Sequence, residues 1–169
     1  MEKLWSPWRS NYIESFKQKK EDDSCVFCRA QKYSLESDDC LVVYRSEKCF
    51  VTLNLYPYNS GHLMVIPNRH TSQFSSITAD EMKEIMDVVQ LTMKALELAM
   101  KPQGYNFGAN LGKAAGAGID EHIHFHVLPR WNGDTNFMPA LGEVKIISQD
   151  LLVTKKNLIT AFKEALKQN

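Results

Sequence analysis

Two rhythms of apolar and polar positions divide the chain. Short runs rich in β-branched and aromatic residues, CLVVYR (40–45), KCFVTLN (48–54) and GHLMVIP (61–67), are separated by the turn-like SE and YPYNS. That rhythm predicts an antiparallel meander of three strands. The period then changes: Met82, Ile85, Met86, Val89, Met93, Leu96 and Met100 recur at helical spacing, behind Thr78 and Glu81 in capping-box arrangement and ahead of Pro102 and Gly104. A long helix is predicted, with its methionine stripe turned to the core. GYNFGAN (104–110) predicts another strand, LGKAAGAGIDE (111–121) a loop, and EHIHFHVLPRW (121–131) a strand in which histidine and apolar positions alternate. Beyond Trp131, NGDTNFMPALG reads as a loop and EVKIIS (143–148) as a strand. LITAFKEALK (158–167) reads as a closing amphipathic helix with Leu158, Ile159, Phe162, Ala165 and Leu166 on one side.

These elements compose an α+β domain: an antiparallel sheet of about five strands, one long helix packed on it, and a C-terminal helix. At 169 residues the chain can bury one core without cross-links. The expected division is an N-terminal arm and charged link over 1–24, the domain over 25–131, and a C-terminal extension with the closing helix over 132–169. In the arm, Trp5, Trp8, Tyr12 and Ile13 are too aromatic for a free tail and are expected to pack on the domain or on a partner subunit, while Lys17 to Ser24 forms a solvated link.

Charge adds an exclusion. Basic and acidic residues balance at 20 each, so no overall field favours nucleic acid or an anionic membrane, and any phosphate binding must be local. Without a signal-like or membrane-spanning apolar run, the expected location is cytoplasmic. Cysteine usage changes the picture more. Cys25 and Cys28 form a C-x-x-C, which points to metal or redox chemistry, whereas Cys40 and Cys49 sit in strand-like apolar runs and read as buried, inert thiols.

Of five histidines in the chain, His122, His124 and His126 occupy alternate positions of one segment. On a strand they share one face, lining a surface groove, while Ile123, Phe125 and Val127 share the other and meet the helix. The cluster has a bland reading, a half-exposed strand that happens to carry histidine. It also fits a single bound metal, or nucleophilic attack at phosphorus by a neutral imidazole with hydrogen-bonding neighbours. The preceding loop, with small residues around Lys113, suits a cradle of backbone N–H groups for phosphate and favours the last of these.

HIHFHVL, continued by LPRW, resembles the signature of the histidine triad family, in which three histidines alternate with apolar residues. Asn54, GHLMVIP and NLGKAAGAG are spaced upstream as in that family, and the resemblance runs from about Cys25 to Trp131. The flanks LWSPWRSNYI and WNGDTNFMPALGEVKIISQDL are similar to those of a bacterial branch related to diadenosine tetraphosphate phosphorylases. The resemblance implies a HIT-like fold and transfer of a nucleoside monophosphate through a covalent intermediate on the middle histidine, His124, with no catalytic metal. His126 would hydrogen-bond the phosphoryl oxygens or the leaving group, and His62 would support the triad and set its tautomers. Asn54 would face the ribose or a neighbouring site group, and Asn110 with Gly116 would face the phosphates. Gly118 stands where many members carry glutamine or serine. Backbone, water or Lys113 would replace that donor, although Lys113 also reads as a plain surface charge. Trp131, Asn136 and Phe137 would wall the site, or simply pack as a loop.

A lone C-x-x-C must find further ligands elsewhere if it holds zinc; otherwise it is a buried cysteine pair or a labile disulfide. The resemblance implies Cys25, Cys28, His70 and His122 around one structural zinc. It also implies a homodimer, or a larger assembly, joined through the sheets. The expected activity is nucleotidyl transfer from a dinucleoside polyphosphate to phosphate. The alternatives are hydrolysis of such substrates or of nucleoside phosphoramidates, and, from another class, a non-catalytic nucleotide-binding module.

Overall fold

The computed structural model describes residues 25–135 and 149–168. Trp5, Trp8, Tyr12 and Ile13 of the arm, the charged link, Asn136, Phe137 and the strand expected at 143–148 lie outside the described residues. A five-stranded antiparallel sheet runs in the order β1-β2-β3-β5-β4, with β1 at Val42–Arg45, β2 at Cys49–Leu53, β3 at Leu63–Pro67, β4 at Gly104–Gly108 and β5 at Phe125–Arg130. The meander pairs in sequence order, and β5 then inserts beside β3. This puts β5, which carries His126 and follows His122 and His124, next to the strand that follows His62.

One face of the sheet carries Val43, Val51, Leu63, Val65, Phe125 and Val127 against α2 (Ala79–Met100) and α3 (Leu151–Lys167). Thr78 and Glu81 form the expected capping box, the Glu81 N–H donating to the Thr78 hydroxyl and the Thr78 N–H to the Glu81 carboxylate. Lys101 ends the helix in the left-handed region, just ahead of Pro102. Met82, Met86, Met93 and Met100 border the core, as their spacing indicates. The closing helix is integral to that core. Leu158, Ala161, Phe162 and Ala165 are buried with the residues of α2, and Phe162 stacks on Tyr44 at 5.0 Å.

The opposite face carries a smaller cluster in which Phe27, from the short helix α1 (Val26–Ala30), meets Val42, Phe50, Met64 and Ile66. Cys40 and Cys49 are buried free thiols, and burial pushes Cys49 up to about 12, out of reach of thiolate chemistry at neutral pH. Among the described residues no helix is long and apolar enough to cross a membrane.

Candidate active site and metal centre

Side-chain alternation through His122–Val127 holds, with Ile123, Phe125 and Val127 in the larger core and the histidines on the opposite face. The hydrogen-bonded ladder, however, begins only at Phe125. His122 to His124 precede it as an extended approach, tied by the Ile123 N–H to the Thr71 carbonyl at 2.8 Å. The expected surface groove is also corrected. His122 is fully buried and His124 is 5 % exposed, with Phe27 packed against both rings, perpendicular to His122 at 5.6 Å and tilted to His124 at 5.2 Å.

Backbone groups decide where each ring keeps its proton. The Nδ1 of His124 sits 3.0 Å from the His122 carbonyl, an acceptor only, so it carries the hydrogen and Nε2 is left with its lone pair. That nitrogen is a competent nucleophile. The Nε2 of His122 faces the Pro67 carbonyl at 2.9 Å, so it too is protonated, and its Nδ1 lone pair turns to Cys25 and Cys28.

His62 receives the Tyr58 backbone N–H at Nδ1 (3.1 Å), with the Asn54 amide 3.4 Å from the same nitrogen. Its hydrogen therefore sits on Nε2, which donates to His126 Nδ1 at 2.9 Å. His126 must then carry its own hydrogen on Nε2. Among the described residues that atom is the buried side-chain polar atom without a hydrogen-bond partner. A buried donor beside a ring with a free lone pair can serve an acceptor supplied from outside.

Burial, with the neighbouring imidazoles, lowers His62 to about 3 and His126 to about 4. Both are neutral at physiological pH, as the relay requires. The unfolded chain takes up these protons near the ordinary imidazole value of about 6.5, so between that pH and about 4 the unfolded state binds more of them. Stability should therefore fall as pH drops through that window, by at most about 1.4 kcal/mol per pH unit for each proton, and these two groups add no slope above it. Melting temperatures between pH 4.5 and 8 check this. His62→Gln should flatten the slope, and an equal slope in the variant would refute the assignment.

Cys25, Cys28, His70 and His122 place one ligand atom each within 4.8 Å of one another. The edges are 3.3 Å from Cys25 Sγ and 3.7 Å from Cys28 Sγ to His122 Nδ1, and 3.4 Å from Cys28 Sγ to His70 Nδ1. Zn–S bonds near 2.3 Å and Zn–N bonds near 2.05 Å at a tetrahedral angle give an edge of about 3.6 Å. Together with the correctly turned His122 lone pair, these edges suit a tetrahedral metal. The four residues form a cluster that can hold one.

The remaining expected residues separate. Asn54 joins the cluster through His62 and also accepts the Tyr56 N–H at 2.9 Å. Asn110 reaches back to the Gly116 carbonyl at 3.4 Å across a loop whose Gly112 and Gly116 take φ of 81° and 90°, a conformation side chains resist. A side chain at Gly118 would meet open space. Lys113 is an exposed charge 3.7 Å from Asp120. Trp131 is not gathered with the histidines. Its indole donates to the Lys101 carbonyl at 3.2 Å, just past the end of β5 away from the histidines. The sequence reading missed Phe27, Tyr58 and the carbonyls of Pro67 and His122. Phe27 lies between Cys25 and Cys28 and Tyr58 four residues before His62, but backbone groups leave no signal in a sequence.

Residues 36–133 match the family model of the HIT domain. A protein of Mycobacterium tuberculosis named AP-4-A phosphorylase is 39% identical over 166 residues, covering 96% of this chain and 85% of its own length. The adenosine 5'-monophosphoramidase of Schizosaccharomyces pombe is 28% identical, covering 64% of this chain and 76% of its own. A Zn-bound histidine triad family protein of Mycobacterium smegmatis superposes with a TM-score of 0.69 at 26% identity, covering 86% of this chain and 98% of that one.

Proposed function

We propose that this chain, which belongs to the histidine triad (HIT) family and is an enzyme acting on nucleotides, is a phosphorylase of dinucleoside polyphosphates such as diadenosine tetraphosphate. The observation that carries the proposal is the pairing of a free Nε2 lone pair on His124 with an unpartnered Nε2–H on His126.

His124 Nε2 attacks the α-phosphorus. An N–P bond forms as the bond to the leaving nucleoside polyphosphate breaks, while the His126 N–H donates to the oxygen that gains charge. The His124 Nδ1–H stays on the His122 carbonyl, which steadies the ring as it becomes positive. An oxygen of inorganic phosphate then attacks the phosphoramidate, the N–P bond breaks, and His124 regains its lone pair. From diadenosine tetraphosphate the products are ATP and ADP.

Zinc is proposed for Cys25, Cys28, His70 and His122, where four protein ligands would close the coordination sphere and supply anchoring rather than an activated water. Asn110, Gly116, Gly118 and Lys113 are proposed to border the phosphates. A homodimer is proposed at the outer edge of β4, which among the described residues pairs only with β5 and carries the exposed Phe107; the other edge, β1, is interrupted by a bulge.

The phosphorylase relative favours phosphate as acceptor, and the phosphoramidase relative favours water as the second reading. Product analysis separates them. ADP with ATP, formed only when phosphate is added, supports the phosphorylase; AMP with ATP formed regardless makes the enzyme a hydrolase.

A further inference from the structure

The connection from β2 to β3 presents His62, yet Leu55, Tyr56 and Tyr58 on it are each about half exposed, so apolar packing, chiefly the Tyr58 ring 4.7 Å from His62, does not by itself fix it. Polar ties do. Asn59 is 9 % exposed and is tied through its side chain and its carbonyl: Oδ1 accepts the Ser60 N–H at 3.2 Å, the carbonyl accepts the His62 N–H at 3.2 Å, and Nδ2 donates to the Pro129 carbonyl at 3.3 Å and to Asp134 Oδ2 at 2.9 Å. The Asp134 carboxylate also accepts Arg130 Nε at 2.7 Å and Nη2 at 2.8 Å, the Trp131 N–H at 3.0 Å and the Thr135 hydroxyl at 3.2 Å. Arg130 reaches onward from Nη1 to Asn106 on β4 at 2.6 Å. The loop that carries His62 is thus bolted to β5, to the turn after it and to β4.

We infer that Asn59 and Asp134 are positioning residues that set the tautomer of His62 and, through it, the proton-bearing nitrogen of His126. The Tyr58 N–H reaches His62 Nδ1 only while the segment 58–62 keeps its shape. Once that N–H swings away, Nδ1 can take the proton and His62 Nε2 becomes an acceptor. His126 Nδ1 must then donate to it, and His126 Nε2 is left with a lone pair. One shifted proton in the loop turns the donor aimed at the phosphoryl group into a repulsive lone pair. The Asn54 amide, at 3.4 Å, opposes this shift with the longer of the two contacts. The inference rests on the proposed role of His126, but its first link concerns His62 alone.

Asn59→Ala, Asp134→Asn and the double variant test it in the metal-loaded full chain. In the wild type, long-range ¹⁵N–¹H correlation spectra should show His62 and His126 each as a single tautomer with hydrogen on Nε2. Each single variant should show mixed His62 tautomers and a kcat lowered about tenfold or more, a part of the roughly 10²- to 10⁴-fold that a positioned proton donor contributes, with KM changed less than threefold. The double variant should be no worse than the poorer single variant, because both residues act through one chain of contacts. A lower melting temperature with one His62 tautomer and unchanged kcat would make the network merely structural and overturn the inference, as would additive losses. Asp134→Asn keeps the side chain's shape, which guards against simple misfolding. If the wild type turns over no dinucleoside polyphosphate, the functional reading fails, and the tautomer spectra still decide this inference.

Discussion

His124→Ala is expected to lower kcat for diadenosine tetraphosphate by at least about a thousandfold, the scale of losing a nucleophile from a two-step displacement. Nucleotide affinity should stay within a few-fold of wild type. The expectation follows from geometry. Of the clustered rings, His124 alone has a lone pair not already committed: His122 turns its own toward the cysteines, His62 accepts from Tyr58, and His126 accepts from His62. None can substitute without breaking another contact. Equilibrium binding of a non-hydrolysable analogue, measured beside steady-state rates, separates the two effects. A variant retaining more than a tenth of wild-type kcat would remove His124 from the chemistry and revive the reading as a nucleotide-binding module.

The second large effect concerns the metal cluster. Cys25→Ala is expected to abolish stoichiometric zinc and to lower the melting temperature by about 10 °C or more, since for a chain of this size each kcal/mol is worth roughly 2–4 °C and losing a metal site ranks among the severe lesions. Activity should fall about tenfold rather than vanish. The reason lies in how the cluster meets the proposed nucleophile: His122 offers its ring to the cysteines and its carbonyl to His124 Nδ1, while Phe27, between the two cysteines, packs against the rings of His122 and His124. Loosening the metal end relaxes the tautomer lock on His124 without removing the lone pair. Metal content by atomic emission and a melting curve check it; wild-type protein purified without zinc, or a variant that melts with it, would overturn the assignment.

Much of this architecture can be read in the residues. The change from alternating to helical spacing marks where the meander gives way to α2, and Thr78 with Glu81 marks its first turn. The alternation of histidine with apolar residues tells which face each would take, because strand geometry leaves no other choice. What stays hidden is set by partners distant in sequence. The proton positions of His122 and His124 depend on carbonyls, and the Asn59 to Asp134 bond joins residues 75 apart. The burial of the histidine row depends on where α1 docks, which the C-x-x-C spacing alone does not fix. Trp131 is expected from its flank either to wall the site or to pack within a loop, and the contact it makes, its indole on the Lys101 carbonyl, is with a residue 30 positions away that the flank does not reveal.

The most direct measurement is of the covalent step itself. Enzyme mixed briefly with diadenosine tetraphosphate in the absence of phosphate, quenched in alkali and digested, should yield one peptide heavier by one adenylyl group, with the modification on His124. Adding phosphate before the quench should discharge the adduct as ADP. Turnover with His124 unmodified throughout, or an adduct carried by another residue, would contradict the account.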